Sequence, residues 1–194
     1  MKLETKKILI ESGEFVKTNT YRSLFNNIVD GILTVTWADN QYFIINPVYR
    51  GNGVVPIKSN FIAHLIRNGW QAEEPMPVVN GMRMGKIDAV YKSDYGNIAV
   101  EWETGNISSS HRALNKMALG IIQNHLIAGF LILPMRSLSK FLTDRVGNYE
   151  EISPYFPLYN HVQIREGALG VFGVTYDKTS ENVIRIPKGQ DGNA

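Results

Sequence analysis

The stretch KIDAVYKSDYGNIAVEWET, from Lys86 to Thr104, decides the fold. Two runs with alternating apolar residues, KIDAVY and IAVEWET, flank the turn-rich sequence KSDYGN, which predicts a β-hairpin. Because side chains alternate across a strand, Glu101 and Glu103 share one face of the second strand. Asp88 of the first strand can lie on the same side. The hairpin therefore predicts three carboxylates that converge on one spot.

Helices and strands alternate around this hairpin. A helix is predicted after Asn106, where Ser108 or Ser109 can form the N-cap and apolar residues recur at helical spacing. The run AGFLILP is continuously apolar, which is typical of a central strand covered on both faces. The alternation predicts an α/β fold with a central sheet that is flanked by helices on both faces.

The remaining elements are less sharply marked by their patterns. We predict helices from Tyr21 to about Thr36, from an N-cap at Ser59 to about Asn68, and from Met135. The sequence predicts strands at Gln41–Pro47 and Gly167–Asp177, and an irregular segment at Asn52–Lys58. The polar tail RIPKGQDGNA, residues 185–194, is predicted to be flexible and to run over the surface.

Length and composition indicate one soluble domain spanning residues 1–194. The net charge is only +2, which neither requires nor excludes nucleic acid as a partner. The absence of cysteine excludes disulfides and cysteine-ligated zinc. The N-terminal apolar run is too short for a signal peptide, and no window is long enough for a membrane span, so we expect a cytoplasmic protein.

The three carboxylates have two interpretations. Gathered acids repel one another, and a divalent cation such as Mg²⁺ offsets that repulsion while taking hard oxygen ligands. Glu73, in QAEEP, is a possible fourth oxygen donor. The alternative is that the acids line a solvated face of the hairpin and that Glu73 is an ordinary surface residue. The sequence contains no Gly-rich phosphate loop, no GxSxG motif and no paired histidines at metal-ligand spacing.

Longer stretches carry a resemblance to a known family. NGVVPIK, KIDAVYK, EWETGNISSSHRALNK, FLTDRVGNYEEISPYF and IPKGQDG resemble, in order, segments of the BamHI family of type II restriction endonucleases. Together they cover the chain from about Asn52 to Gly192 and include polar residues that a fold alone does not require. The short length points to one of the smaller members of that family.

The resemblance implies a PD-(D/E)XK nuclease core, an α/β fold whose central mixed β-sheet has helices on both faces. Asp88 matches a metal-binding aspartate, Glu101 a bridging metal ligand and Glu73 a further acid of the site. The main-chain carbonyl of Trp102 would also contact metal. Glu103 takes the last position of the motif, where most of the superfamily has lysine. Two Mg²⁺ ions per active site are implied, with Mn²⁺ substituting and Ca²⁺ not supporting cleavage.

The same resemblance implies residues that read DNA. Asn106, Ser108 and Arg112 would contact bases from the start of the helix after the hairpin. Asp144 and Arg145, in the TDR sequence that closes the helix from Met135, would read cytosine and guanine. Together they would recognise the palindrome GGATCC, one half-site in each subunit of a homodimer. The alternatives are that Ser108 is a plain cap and that Asp144 and Arg145 form a surface ion pair.

Other implied contacts concern affinity, the dimer and the tail. Lys58, Lys92 and Lys116 would contact phosphates, although Lys58 could instead bridge subunits. Asp191 and Gly192 would enter the minor groove. The helices after Asn106 and from Met135 would pack against their dimer mates, with core packing inside one subunit as the alternative. A cell that makes such an enzyme needs a companion DNA methyltransferase.

Two other functions remain as alternatives. A glycoside hydrolase would use Glu101 and Glu103 as acid and nucleophile, but such groups flank a substrate from opposed positions, whereas residues two apart on a strand point the same way. A DNA-binding protein that no longer cuts is the second alternative, and the intact Asp88, Glu101 and Glu103 argue against it. We therefore expect phosphodiester hydrolysis that leaves 5′-phosphate ends.

Overall fold

The structure is a computed structural model that describes residues 1–76, 85–143 and 145–188. The strands in these ranges are β1 (Lys2–Ser12), β2 (Ile44–Ile45), β3 (Gln71–Pro75), β4 (Lys86–Ser93), β5 (Gly96–Trp102), β6 (Ala128–Pro134), β7 (Gly167–Thr175) and β8 (Lys178–Thr179). The helices are α1 (Asn19–Leu33), α2 (Val55–Arg67), α3 (Ile107–Ile122), α4 (Arg136–Ser139) and α5 (Tyr149–Ile152), with 3₁₀ turns at Phe15–Lys17 and Ser153–His161.

Among the described residues, six strands form one mixed sheet in the order β1-β7-β6-β5-β4-β3. Strands β5, β6 and β7 run parallel in its centre, while β4, β3 and β1 pair antiparallel. The predicted hairpin is confirmed, because β4 pairs with β5 from Ser93 opposite Gly96 onward. All residues of β6 are buried, as its apolar sequence predicts.

Helices cover both faces of the sheet, which confirms the predicted fold class. On one face, α1 and α2 bury Ile28 and Phe61 against the sheet. On the other face, α3 contributes an apolar stripe to a second core cluster, made of Leu114, Met117, Ala118 and Ile121. This stripe is therefore used inside the chain, and the interpretation that it packs against a dimer mate is wrong for these residues. Leu138 of α4 is buried in the same way.

Helix α2 begins earlier than the sequence predicts. It starts at Val55 with Pro56 in its first turn, so Ser59 lies inside the helix and is not its N-cap. A proline at the start of a helix sets the backbone φ angle and lacks only an N–H that would have no helical partner. The predicted irregular segment therefore ends at Val54. The predicted end is confirmed, since Gly69 has a φ of +88° after the last turn.

The helix predicted from Met135 is a single turn, and this prediction is wrong beyond Ser139. The amides of Arg50 and Asn52 donate to the carbonyls of Lys140 and Phe141, each at 3.0 Å. This strand-like pairing, together with a bridge between Asn52 and Leu142, draws the chain out of helical conformation. Asp144 lies outside the described residues, and Arg145 follows in a loop with a φ of +69°.

The chain termini also differ from expectation. Strand β1 was not predicted, because this edge strand has many polar residues and few apolar ones. Away from the termini, strand β3 in QAEEP was not predicted either. Ile186 is 1% exposed, so the tail enters the core there before leaving it. Asp191 and Gly192 lie outside the described residues. No helix within the described ranges is long and apolar enough to cross a membrane.

Candidate active site

A cleft of about 380 Å³ opens at the carboxyl end of β5. The strand ends at Trp102 and α3 begins five residues later at Ile107, so the end of the strand and the first turns of the helix share its walls. The residues that line it are Gly85, Lys86, Glu101, Glu103, Ser109, Arg112, Ala113 and Lys116. Both predicted catalytic glutamates thus face the helix that was predicted to read DNA.

Glu101 is a buried carboxylate paired with a buried lysine. Its Oε1 lies against the Nζ of Lys116, and the two residues are 8% and 7% exposed. The same Nζ donates to the carbonyl of Lys86 at 2.8 Å. Burial raises the pKa of Glu101 above its ordinary value, the ammonium of Lys116 opposes that rise, and the negative charges of Asp88 and Glu103 add to it.

Asp88 is held from two directions. Its Oδ1 is 2.7 Å from the Nζ of Lys58 on α2, and its Oδ2 accepts the backbone N–H of Trp102 at 2.8 Å. The Trp102 ring packs against Phe61 of α2 with centroids 4.9 Å apart. Asp88 therefore leans toward the α2 side of the sheet, whereas Glu101 faces α3.

Glu103 is fixed through the chain that follows it. Its Oε1 accepts the N–H of Gly105 at 2.7 Å. The carbonyl of Gly105 accepts the N–H of Gly147 at 2.8 Å, in the loop that follows Arg145. A Cβ on Gly147 would lie 2.9 Å from the backbone of Ile107, so only glycine permits this approach. Gly105 thus connects Glu103 to the loop that follows Arg145.

Glu73 occupies the outer edge of the site. It has a φ of +58°. In the β3–β4 register its neighbours Ala72 and Glu74 are paired with residues of β4, but Glu73 is not. Its Oε2 lies 3.2 Å from the Nζ of Lys86, with both side chains more than half exposed. Lys86 therefore lies between Glu73 and the cleft, since its own carbonyl accepts from Lys116.

The predicted convergence of three carboxylates is not found. Within the described ranges, no group of three or more His, Cys, Asp or Glu side chains is placed to hold a metal ion. Of the three predicted acids, Asp88 pairs with Lys58, Glu101 pairs with Lys116, and Glu103 accepts the N–H of Gly105. The oxygen donors still fit a divalent cation chemically, because they are hard ligands and the charges of Asp88 and Glu103 act on Glu101.

The predicted DNA-reading residues are placed at the mouth of the cleft only in part. Asn106 is the N-cap of α3, with its Oδ1 accepting the N–H of Ser109 at 3.0 Å, so neither Ser108 nor Ser109 caps the helix. Ser108 is exposed in the first turn, and Arg112 is exposed on the cleft wall. Arg145 is exposed in its loop, and Asp144 cannot be placed with it because it lies outside the described residues.

The three predicted phosphate-binding lysines all pair with carboxylates. Lys92 lies 3.6 Å from Glu74 on the exposed surface. Lys116 is buried against Glu101 and lines the cleft, so the phosphate contact predicted for it would lie inside the site and stays a prediction. Gly105 and Gly147 were not predicted, because their roles depend on backbone contacts that no side-chain pattern reports. Lys86 could have been found, because it lies two residues before Asp88 on the same strand.

The sequence matches, over residues 1–193, the family described as Restriction endonuclease BamHI. The chain belongs to the BamHI family of restriction endonucleases. It is 43% identical to the type II restriction enzyme OkrAI of Oceanobacter kriegii, over 100% of this chain and 99% of that protein. It is 34% identical to the type II restriction enzyme BamHI of Bacillus amyloliquefaciens, over 99% of this chain and 92% of that protein.

Solved structures agree with this fold. The chain resembles the restriction endonuclease BglII complexed with a DNA 16-mer, with a TM-score of 0.63, 14% identity, and coverage of 96% of this chain and 88% of that one. It resembles free BglII with a TM-score of 0.52 and 11% identity, over 91% of this chain and 81% of that one. As a BamHI-family member, the chain is a restriction endonuclease, an enzyme that hydrolyses double-stranded DNA. Type II restriction enzymes generally use divalent metal ions.

Proposed function

We propose that this chain is a type II restriction endonuclease that acts as a homodimer, cleaves double-stranded DNA at GGATCC and depends on Mg²⁺. The products carry 5′-phosphate and 3′-hydroxyl ends. The observation that carries the proposal is the cleft in which Glu101 and Glu103 face Arg112 and the first turn of α3. A catalytically silent DNA-binding protein is the alternative.

Oxygen ligands for the cation would come from four residues on three neighbouring strands. Asp88, Glu101 and Glu73 supply carboxylates, and Trp102 supplies its main-chain carbonyl. Two Mg²⁺ ions per active site, when bound, would promote ionisation of the attacking water and offset charge on the leaving oxygen. Mn²⁺ substitutes for Mg²⁺, whereas Ca²⁺ is retained without supporting cleavage.

Glu103 is proposed as the general base. Its carboxylate lines the cleft and is half-buried, while Oε1 is oriented by the N–H of Gly105. Glu101 is less suited to this role, because its Oε1 is taken by Lys116. A carboxylate with one oxygen held by a backbone amide keeps the other available to accept a proton from water.

Base recognition is assigned to two neighbouring segments. Asn106, Ser108 and Arg112 lie at the start of α3, where backbone N–H groups also favour phosphate oxygens. Asp144 and Arg145 would read a cytosine and a guanine of the half-site. Lys58 and Lys92 would contribute phosphate contacts, and Asp191 with Gly192 would enter the minor groove.

A palindromic site calls for a two-fold symmetric protein, so a homodimer is part of the proposal. Support comes from the outer face of α3 and the 3₁₀ turn after α5. Tyr155 and Leu158 are 50% and 66% exposed there, and the Tyr155 ring packs edge-on against His111 of α3. A companion methyltransferase that modifies the same sequence would protect the host DNA.

The deciding experiment is digestion of phage DNA with the purified chain in Mg²⁺ or in EDTA, followed by mapping of the ends. We expect discrete fragments that end at GGATCC in Mg²⁺ and none in EDTA. Discrete cutting that persists in EDTA would refute the metal dependence, and ends at another sequence would refute the specificity. Binding to GGATCC without any cutting would favour the silent alternative.

Two variants test the assigned roles. Glu101→Ala is expected to abolish cutting. Arg145→Ala is expected to lose the preference for GGATCC over a scrambled duplex in a gel-shift assay. Arg165→Ala is the matched control, because Arg165 is an exposed arginine just before β7, at the opposite end of the parallel strands from the cleft. If Arg145→Ala cuts GGATCC as the control does, the base-reading role is wrong.

A further inference from the structure

The lysine ammonium groups of the site have defined partners, as its carboxylates do. Lys116 comes from α3 and is 7% exposed, although lysine is rarely buried so completely. Its Nζ has two partners, Oε1 of Glu101 and the carbonyl of Lys86. A buried lysine held by one carboxylate and one carbonyl is part of a built site and not a surface counter-ion.

A second lysine repeats this arrangement from the other side of the sheet. Lys58 of α2 lies 2.7 Å from Oδ1 of Asp88, whose side chain is 13% exposed. The other oxygen of Asp88 accepts the Trp102 amide at 2.8 Å. Two of the three predicted ligand carboxylates, those of Asp88 and Glu101, therefore have an oxygen in contact with a lysine ammonium group from a helix.

These pairs bear on cation binding. A carboxylate oxygen that faces an ammonium group must leave it, at least in part, to ligate a divalent ion. Two cations that share one carboxylate also repel each other, and in a partly buried site that repulsion is weakly screened. The charge of Lys116 therefore opposes a divalent ion at Glu101, and that of Lys58 opposes one at Asp88.

We propose that Lys116 and Lys58 are positioning residues that occupy Glu101 and Asp88 in the DNA-free protein and compete with the divalent cation for these carboxylates. This inference rests on the proposed metal-dependent function. The lysines act through the carboxylates and set how tightly the chain takes up its cation. They offset the charges of the two acids until a cation displaces them.

A purely structural role for Lys116 predicts a different change in cation affinity when the lysine is replaced. If the lysine only fills space and holds Glu101 ionised, then its replacement by methionine, which has a similar shape, leaves cation affinity unchanged or weaker. If it competes, then the same replacement strengthens cation affinity. The direction of the change therefore separates the two roles.

The test is calorimetric titration of Mn²⁺ into the full chain, without DNA, in a metal-free buffer at fixed pH and ionic strength. Lys116→Met is expected to lower the dissociation constant for Mn²⁺ by about tenfold or more. Lys116→Arg, which keeps the charge, should remain near the unmodified chain. Lys7→Met on β1 is the matched control, because Lys7 is exposed and lies at the far edge of the sheet.

An unchanged or larger dissociation constant in a folded Lys116→Met variant overturns the proposal. Should this variant fail to melt cooperatively, Lys58→Met decides the same question, because Lys58 is 37% exposed and its loss disturbs the core less. Tighter Mn²⁺ binding by Lys58→Met supports the competition, and unchanged or weaker binding refutes it.

The proposed function is tested separately, by digestion of DNA with the unmodified chain in Mg²⁺. Cutting at GGATCC with no change of affinity in the lysine variants would refute only the competition. No cutting in Mg²⁺, combined with the expected gain of affinity, would refute the nuclease assignment and leave the competition standing.

Discussion

The substitution Glu101→Gln separates the structural and chemical roles of the buried pair. The change keeps the shape of the side chain and an acceptor oxygen but leaves the ammonium of Lys116 without a counter-charge, beside the amide and the carbonyl of Lys86. Removing one partner of a buried ion pair costs about 3–5 kcal/mol of unfolding free energy, and the raised pKa of Glu101 places this variant at the lower end of that range, because burial already disfavours the ionised carboxylate. A domain has only about 5–15 kcal/mol in total, so the variant should unfold at clearly lower urea.

The matched control is Glu73→Gln, since Glu73 is another proposed metal ligand whose pair with Lys86 is exposed. Its side chain is 63% exposed, so loss of the pair should cost less than about 1 kcal/mol. A double variant, Glu101→Gln with Lys116→Met, removes both buried charges and should recover most of the lost stability.

Plasmid cleavage completes the assay. Loss of about 4 kcal/mol of transition-state stabilisation corresponds to about a thousandfold slower cutting. We expect Glu101→Gln and the double variant to be equally inactive, although the double variant is stable. Equal stability of Glu101→Gln and Glu73→Gln would refute the buried-pair reasoning, and recovery of cutting in the double variant would refute the ligand role of Glu101.

Three further predictions follow from the site. Glu103→Gln should slow single-turnover cleavage by about 100-fold or more while urea unfolding changes little, since the side chain is only half-buried; near-normal cleavage would remove Glu103 as the base. Gly147→Ala should lower the unfolding free energy by about 1–3 kcal/mol and slow cleavage at GGATCC, because the added Cβ would lie 2.9 Å from the Ile107 backbone. An unaffected cleavage rate would show that cleavage does not depend on this contact. Because burial raises the pKa of Glu101 above its ordinary value, the acid limb of the pH–rate profile should lie at a higher pH than an ordinary glutamate would give, and Lys116→Met should move it higher still.

The direction of this pH effect follows from linkage. A carboxyl whose pKa is raised on folding binds its proton more tightly in the folded state, so its contribution to stability is lost as pH rises through the raised pKa. Cutting responds in the opposite sense, because only the ionised carboxylate of Glu101 can act as a ligand. Urea unfolding and cleavage, measured across the same pH range, should therefore diverge on the acid side.

The sequence predicts the parts of the fold that depend on side-chain periodicity. Strand β6 and helix α3 have continuous or helical apolar patterns, and both are confirmed. The β4–β5 hairpin is confirmed as well, since alternation across the turn at Ser93–Gly96 is unambiguous. The family resemblance, which rested on polar segments between about Asn52 and Gly192, is confirmed by a family match over residues 1–193.

Long-range backbone pairing explains the errors. The helix from Met135 ends after one turn because the segment around Asn52, about ninety positions earlier, takes over the backbone groups of Phe141. Among the described residues the carboxylates form no group of three placed to hold a metal, and Asp88 and Glu101 are instead paired with Lys58 and Lys116, which come from helices on opposite faces of the sheet. Neither effect has a local signature, since each depends on which distant residues the fold brings together.

The hydrogen bonds on either side of Gly105 have a practical consequence for protein engineering. The side chain of Glu103 accepts the N–H of Gly105, and the N–H of Gly147 donates to the carbonyl of Gly105. These two hydrogen bonds couple the segment after β5 to the loop of Gly147. A loop transplanted from a nuclease of different target sequence would have to reproduce this backbone contact as well as new base-reading side chains. If the proposed roles hold, redesign of the target site would have to vary the segment of Glu101 and Glu103 together with the loop of Arg145, because Gly105 joins the two.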